Sequence, residues 1–120
     1  MAVQSKSIYE EAAAGDGVRV LTTNYWPRGV SRERAGIYKR VLGPSRPLLR
    51  AFKDGEIDWP AYEARYLEEM ACEQARLEIE DLGQRALTDT VTVMCMCKDE
   101  DQCHRRLLRD LIAAVTSVSV

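Results

Sequence analysis

The stretch Val91-Thr-Val-Met-Cys-Met-Cys97, followed by the charged turn Lys98-Asp-Glu-Asp-Gln102 and then by Cys103-His104-Arg105, decides how this chain folds. On a strand of period two, Val91, Val93, Cys95 and Cys97 share one face, while Met94 and Met96 make the other face apolar as well. A strand apolar on both sides reads as the centre of a parallel sheet with helices covering it. Beyond the turn, Leu107, Leu108, Leu111, Ile112 and Val115 recur at helical spacing. They predict a helix that starts near residues 101 to 103, with Asp99 or Asp101 as its N-cap. Cys103, His104 and Arg105 then fall in the first turn, where unpaired backbone N–H groups and the positive end of the helix dipole favour an anion, a phosphate or a thiolate. Ligands of open α/β sheets bind outside the carboxyl ends of the strands, and this turn lies at one of them.

Working outward, Ser7-Ile-Tyr9 reads as a short strand, Glu10 to Gly17 as an acidic, small-residue connection, and Val18 to Thr22 as a firmer strand. The segment Asn24-Tyr-Trp-Pro-Arg-Gly29 is a stiff turn that mounts one guanidinium, Arg28. Ser45 caps a short helix over 46–53 with Pro47 in its first turn. Asp58 caps a longer helix from Trp59, with Leu67, Met70, Ala71, Gln74 and Leu77 as its inward stripe and Gly83 as its end. The last segment, Thr116-Ser-Val-Ser-Val120, alternates as an edge strand or a frayed end would. Strands separated by helices predict an α/β fold, a small sandwich with a mainly parallel central sheet.

A chain of 120 residues with 46% apolar content is expected to form one domain over 1–120. The net charge of −2 and pI of about 5.5 argue against a nucleic-acid partner, which would need a local basic patch. No apolar run approaches a membrane span, and Met1-Ala-Val-Gln-Ser lacks the pattern of a signal peptide, so a cytoplasmic protein without a membrane partner is expected. Cys72, Cys95, Cys97 and Cys103 are then expected as reduced thiols or metal ligands.

The chemistry concentrates at the helix start. Cys103, beside Arg105 and Arg106, is the candidate nucleophile because a helix N-terminus and nearby guanidinium groups favour its thiolate. His104 is the candidate general acid or base, since an imidazole titrates near neutrality. Arg28 and Arg105 are the candidate anion-binding pair. Each has a plainer reading: cysteines as core packing, His104 bonded to a carbonyl, the arginines in ion pairs. The basic run Arg32, Arg34, Lys39 and Arg40 reads as a solvated loop, Arg50 and Arg65 as ion-pair partners, and Trp26, Trp59, Tyr62 and Tyr66 as core or rim aromatics.

Three chemistries are tested by spacing. Cys103 to Arg109 has the count of a cysteine-phosphatase loop, but Cys103 already begins a helix and no glycine lies between Cys97 and Arg109 to let a backbone wrap phosphate. Cys95, Cys97, Cys103 and His104 have the donor types for zinc, yet the turn separates them, so no metal is expected and a Cys/His metal site stays an alternative. The glycine fingerprint of a dinucleotide fold is missing after the first strand, so no nicotinamide or flavin cofactor is expected.

Tyr9, the Val18 to Leu21 strand, Trp26-Pro-Arg-Gly29, Pro44-Ser45, Phe52, Trp59, Tyr62 and Arg65-Tyr66 with Glu68-Glu69 resemble the YeaO-like family, domain of unknown function number 488. Cys95 and Cys103-His104-Arg105 match the family's late-strand cysteine and its Cys-His-Arg helix start. Cys97 stands where the family carries an acidic residue, and Thr23-Asn24 where it carries Asp-Arg. The resemblance implies a three-layer α/β fold and no known reaction. The expected function is binding of, or action on, a small anionic ligand, phosphorylated or nucleotide-like, at the Cys-His-Arg helix start. The alternative is a non-catalytic interaction module, a homodimer among its forms, with structural thiols.

Overall fold

Among the described residues four strands form one parallel sheet: β1 (Ala2–Ser7), β2 (Val18–Leu21), β3 (Ile37–Tyr38) and β4 (Thr90–Cys95), in the spatial order β1-β4-β2-β3. The computed structural model describes residues 2–96 and 103–119, so Cys97 and the expected caps Asp99 and Asp101 lie outside the described residues. The strand with two apolar faces takes a central place, pairing Val91 with Val3 on one side and with Val18 on the other. Helices α1 (Arg32–Ala35), α2 (Arg46–Lys53), α3 (Trp59–Glu69), α4 (Glu73–Arg85) and α5 (His104–Ser119) complete the α/β fold. No helix among the described residues is long and apolar enough to cross a membrane.

The sheet's two faces are covered unequally. On the main face Val20, Val91 and Val93 pack with Tyr62, Tyr66, Ile79, Leu82, Leu108 and Ile112 from α3, α4 and α5. Leu21 and Met94 point the other way and meet Ile8, Val30 and Ala35 in a smaller cluster beside α1. The rest of this second face is polar. Buried Asp16 accepts from Lys6 Nζ at 3.0 Å, from the Ala13 backbone N–H at 3.0 Å and from Arg19 Nη1, and its carbonyl accepts from Thr92 Oγ1 at 2.7 Å.

Three expectations need correction. The first strand is Ala2–Ser7, not Ser7 to Tyr9: after Ile8 N donates to the Cys95 carbonyl at 2.8 Å the chain turns, held by Glu10 on the Ser7 N–H at 2.7 Å. The helix expected from Trp59 to Gly83 is two, separated by Met70 to Cys72. That break resets the helical phase, so the inward residues are Tyr62, Tyr66 and Met70, then Ala75, Ile79 and Leu82, while Leu67 and Leu77 are 39% and 58% exposed. Gly83 does not end α4; a Cβ there would stand 2.8 Å from Val115 Cγ1, so its bare surface lets α5 pack close. The alternating tail stays helical through Ser119, with Thr116 Oγ1 donating to the Ile112 and Gly83 carbonyls at 2.9 and 3.1 Å.

Two devices hold α2 in place beside the strand ends. Ser45 caps it by accepting from Leu48 N at 3.3 Å, as its position before Pro47 predicts, and Glu69 at the end of α3 takes both the Ser45 N–H, at 2.8 Å, and its hydroxyl. Gly43 lies so close to β2's exit that a Cβ would meet Asn24 N at 2.7 Å and the Thr22 carbonyl oxygen at 2.8 Å. Only a residue without a side chain fits there.

Candidate functional site

The carboxyl ends of β2 and β4 converge on a cavity of about 330 Å³. Its wall combines the rings of Tyr25, Phe52 and Tyr62 with Lys53, and with Cys95 and His104 from the two sides of the turn. Cys95 ends β4, and His104 opens α5. The parallel order places both beside the exit of β2, at the kind of strand-end crevice where open sheets bind ligands.

His104 is buried, and the end of β2 fixes its ring. Nε2 lies 2.7 Å from the Thr22 carbonyl oxygen and 3.2 Å from Thr22 Oγ1. A carbonyl only accepts, so Nε2 carries a proton and donates it there. Nδ1 is 3.7 Å from Cys103 Sγ. Thr22 is itself tied to β4, its N–H and hydroxyl each donating to the Met94 carbonyl at 2.9 Å. Tyr66 leans on the imidazole with ring centroids 5.5 Å apart. Its hydroxyl donates to the Leu42 carbonyl at 2.7 Å, and burial, then the neighbouring Tyr62, Cys103, Glu69 and Cys95, pushes its pKa well above the usual 10.0 and keeps it a neutral donor.

The two thiols touch. Cys95 Sγ and Cys103 Sγ are 2.8 Å apart, both buried, and Arg105 Nη1 lies 3.8 Å from Cys95 Sγ. Cys95 reaches the cavity wall; Cys103 stands behind it, immediately before α5, and does not line the cavity. The donor atoms of Cys95, Cys103 and His104 lie within 4.8 Å of one another. They have the types a zinc ion takes, but two thiolates on one tetrahedral zinc stand about 3.8 Å apart, well beyond this contact. Arg105 also already supplies positive charge beside Cys95.

The expected site residues are only partly gathered. Cys103, His104 and Arg105 are together and buried. Arg28 is exposed on the loop after β2, its carbonyl accepting from Tyr9 Oη at 3.4 Å, and it does not line the cavity. The basic run is tied down in part: Arg34 donates to the Ile8 and Glu10 carbonyls at 2.9 and 3.2 Å, and Lys39 pairs with Glu78 at 2.7 Å. Sequence reasoning missed Lys53, Phe52 and the Thr22 carbonyl. It also missed the exposed trough beside the cavity, along α2, where Arg46, Arg50 and Lys53 stand with Tyr25 and Asp54. A basic last turn on α2 was the available signal for Lys53; nothing local announces a carbonyl.

Residues 3–116 match the DUF488-N3a family, described as the active DUF488-N3 subclade. The chain belongs to this family. Relatives include the uncharacterised protein YeaO of Escherichia coli K12, 28% identical over 96% of this chain and the whole of YeaO. Uncharacterised proteins of Mycobacterium tuberculosis H37Rv and Mycobacterium bovis are each 29% identical over 75% of this chain and 78% of theirs. The YeaO-like resemblance carried by Trp26-Pro-Arg-Gly29 and its companions is therefore a true relationship. No solved structure matches the chain.

Proposed function

We propose that the chain binds, and acts on, a small anionic molecule with a flat apolar body, of the phosphorylated or nucleotide-like class, in the cavity at the ends of β2 and β4. One observation carries this reading: a buried imidazole and a buried thiol share a cavity wall with three aromatic rings and a lysine. Rings at Tyr25, Phe52 and Tyr62 offer faces on which a planar group stacks. Lys53, with Arg46 and Arg50 along the trough beside it, offers positive charge for the anionic end. In this reading the anion is met by α2, not by Arg28 with Arg105. Arg105 instead faces the sulfur of Cys95. His104 serves as the proton carrier through Nδ1, its other nitrogen being held by Thr22.

The chain has one histidine, so its imidazole signals in an NMR spectrum report on the site without ambiguity. Titration with adenosine monophosphate is expected to shift them, and inorganic phosphate to do so more weakly. Lys53→Ala should weaken nucleotide binding about tenfold while changing stability by no more than about 0.5 kcal/mol. Imidazole signals that ignore both probes up to millimolar concentration would sink the reading.

A further inference from the structure

We infer that Cys95 and Cys103 form a dithiol that exchanges with low-molecular-weight disulfides entering the cavity, Cys95 attacking and Cys103 resolving. The exchange does not depend on the ligand proposed above; its preference for an anionic disulfide does rest on the basic trough of that reading.

Four placements support the assignment of roles. Cys95 is the thiol on the cavity wall, so an incoming disulfide meets it first. Arg105 Nη1, 3.8 Å from its sulfur, favours the thiolate, the form that attacks. Cys103 stands 2.8 Å behind, shielded from the cavity, within about 0.8 Å of the separation of about 2.05 Å that two bonded sulfurs take. His104 Nδ1, 3.7 Å from Cys103 Sγ, is placed to take the resolving thiol's proton. An ordinary core cysteine needs neither a guanidinium nor an imidazole beside it.

The chemistry balances as follows. The Cys95 thiolate attacks one sulfur of a disulfide RSSR; a Cys95–S–S–R bond forms, the S–S bond of RSSR breaks, and RS⁻ leaves and takes a proton from water. Cys103 gives its proton to His104 Nδ1, and its thiolate attacks the Cys95 sulfur, forming the Cys95–Cys103 disulfide and expelling the second RS⁻, which recovers that proton from the imidazolium. Two protein thiols are oxidised by two electrons, and RSSR is reduced to two thiols.

The test uses the full chain carrying Cys72→Ser and Cys97→Ser, which keeps only the pair. Dithionitrobenzoate, an anionic aromatic disulfide, should release two equivalents of its coloured thiol and leave no adduct, and peptide mass spectrometry should find Cys95 linked to Cys103. With Cys103→Ser added, one equivalent should be released and the adduct should remain on Cys95. With each rate divided by that reagent's rate with free mercaptoethanol, which removes the difference in leaving-group acidity, cationic cystamine should react about tenfold more slowly than dithionitrobenzoate, and Lys53→Glu should remove most of that contrast. The peptide map of the otherwise unmodified protein carries the same information should a serine variant fail to fold. An adduct that persists with both thiols present, first labelling at Cys103, or purified chain holding equimolar zinc on both sulfurs overturns the exchange. Equal normalised rates for the two reagents overturn the anionic preference. Nucleotide binding is read at His104 and needs no thiol, so failure here is separable from failure of the proposed ligand.

Discussion

Among the described residues two groups of buried polar side chains differ in what surrounds them. On the second face of the sheet, Asp16 is enclosed by Lys6, Arg19 and the Ala13 N–H, every contact coming from the chain itself. At the strand ends, Cys95 and His104 have chain partners on one side and a cavity on the other. The first arrangement is complete without a ligand; the second leaves reactive atoms beside open space. Burial of charge alone therefore does not mark a site. A buried thiol and imidazole next to a cavity do.

The largest loss of stability is expected at Asp16. Asp16→Ala leaves Lys6 and Arg19 largely buried around a missing counter-charge and should cost about 3 to 5 kcal/mol in urea unfolding, with no effect on thiol exchange by the fraction that remains folded. The same carboxylate sets a pH dependence. Burial pushes its pKa up, but the Ala13 N–H, Lys6 and Arg19 outweigh that and hold it below the usual 3.8. A depressed folded-state value means the contribution is fully present above the unfolded value and is lost as pH falls through the folded one. The gap in stability between the wild type and Asp16→Asn should thus be widest near neutrality and close below about pH 4; a gap that widened in acid would refute the assignment.

Gly43→Ala should strike the other side. Its Cβ collides with backbone at the exit of β2, where relief can come only by moving the loop that bears Pro44 or the carbonyl that holds His104. A loss of about 1 to 3 kcal/mol is expected, together with a shifted imidazole signal; an unshifted signal would show that the loop yields and the site does not. Smallest of the three is Tyr66→Phe. It deletes the donor to the Leu42 carbonyl and should cost about 1 kcal/mol in thermal or urea unfolding, sharpening how much of the site's rigidity comes from this ring.

The parts of the fold legible in the sequence were those with redundant local signals. The central strand declared itself by apolar residues on both faces, and α2 by Ser45 before Pro47. The break at Met70 to Cys72 has no glycine or proline, and Cys72 caps α4 without a side-chain hydrogen bond, so a continuous helix was the natural reading. The tail alternates locally, yet contact with α4 at Gly83 keeps it helical. At the site, the Cys-His-Arg grouping was visible because the three are adjacent in the chain. Lys53, Phe52 and Tyr62 join it only through the way α2 and α3 pack beside the strand ends, and no spacing records that. An apolar strand suits Cys95 equally as core packing, and which of the two thiols meets the cavity depends on side-chain placement that spacing does not record.

The bond from His104 Nε2 to the Thr22 carbonyl has one further consequence. A ring flip would carry Nε2 away from its acceptor, and the carbonyl belongs to a residue whose N–H and hydroxyl are both anchored on β4. The imidazole thus keeps one orientation before any guest arrives, and whatever enters must conform to it.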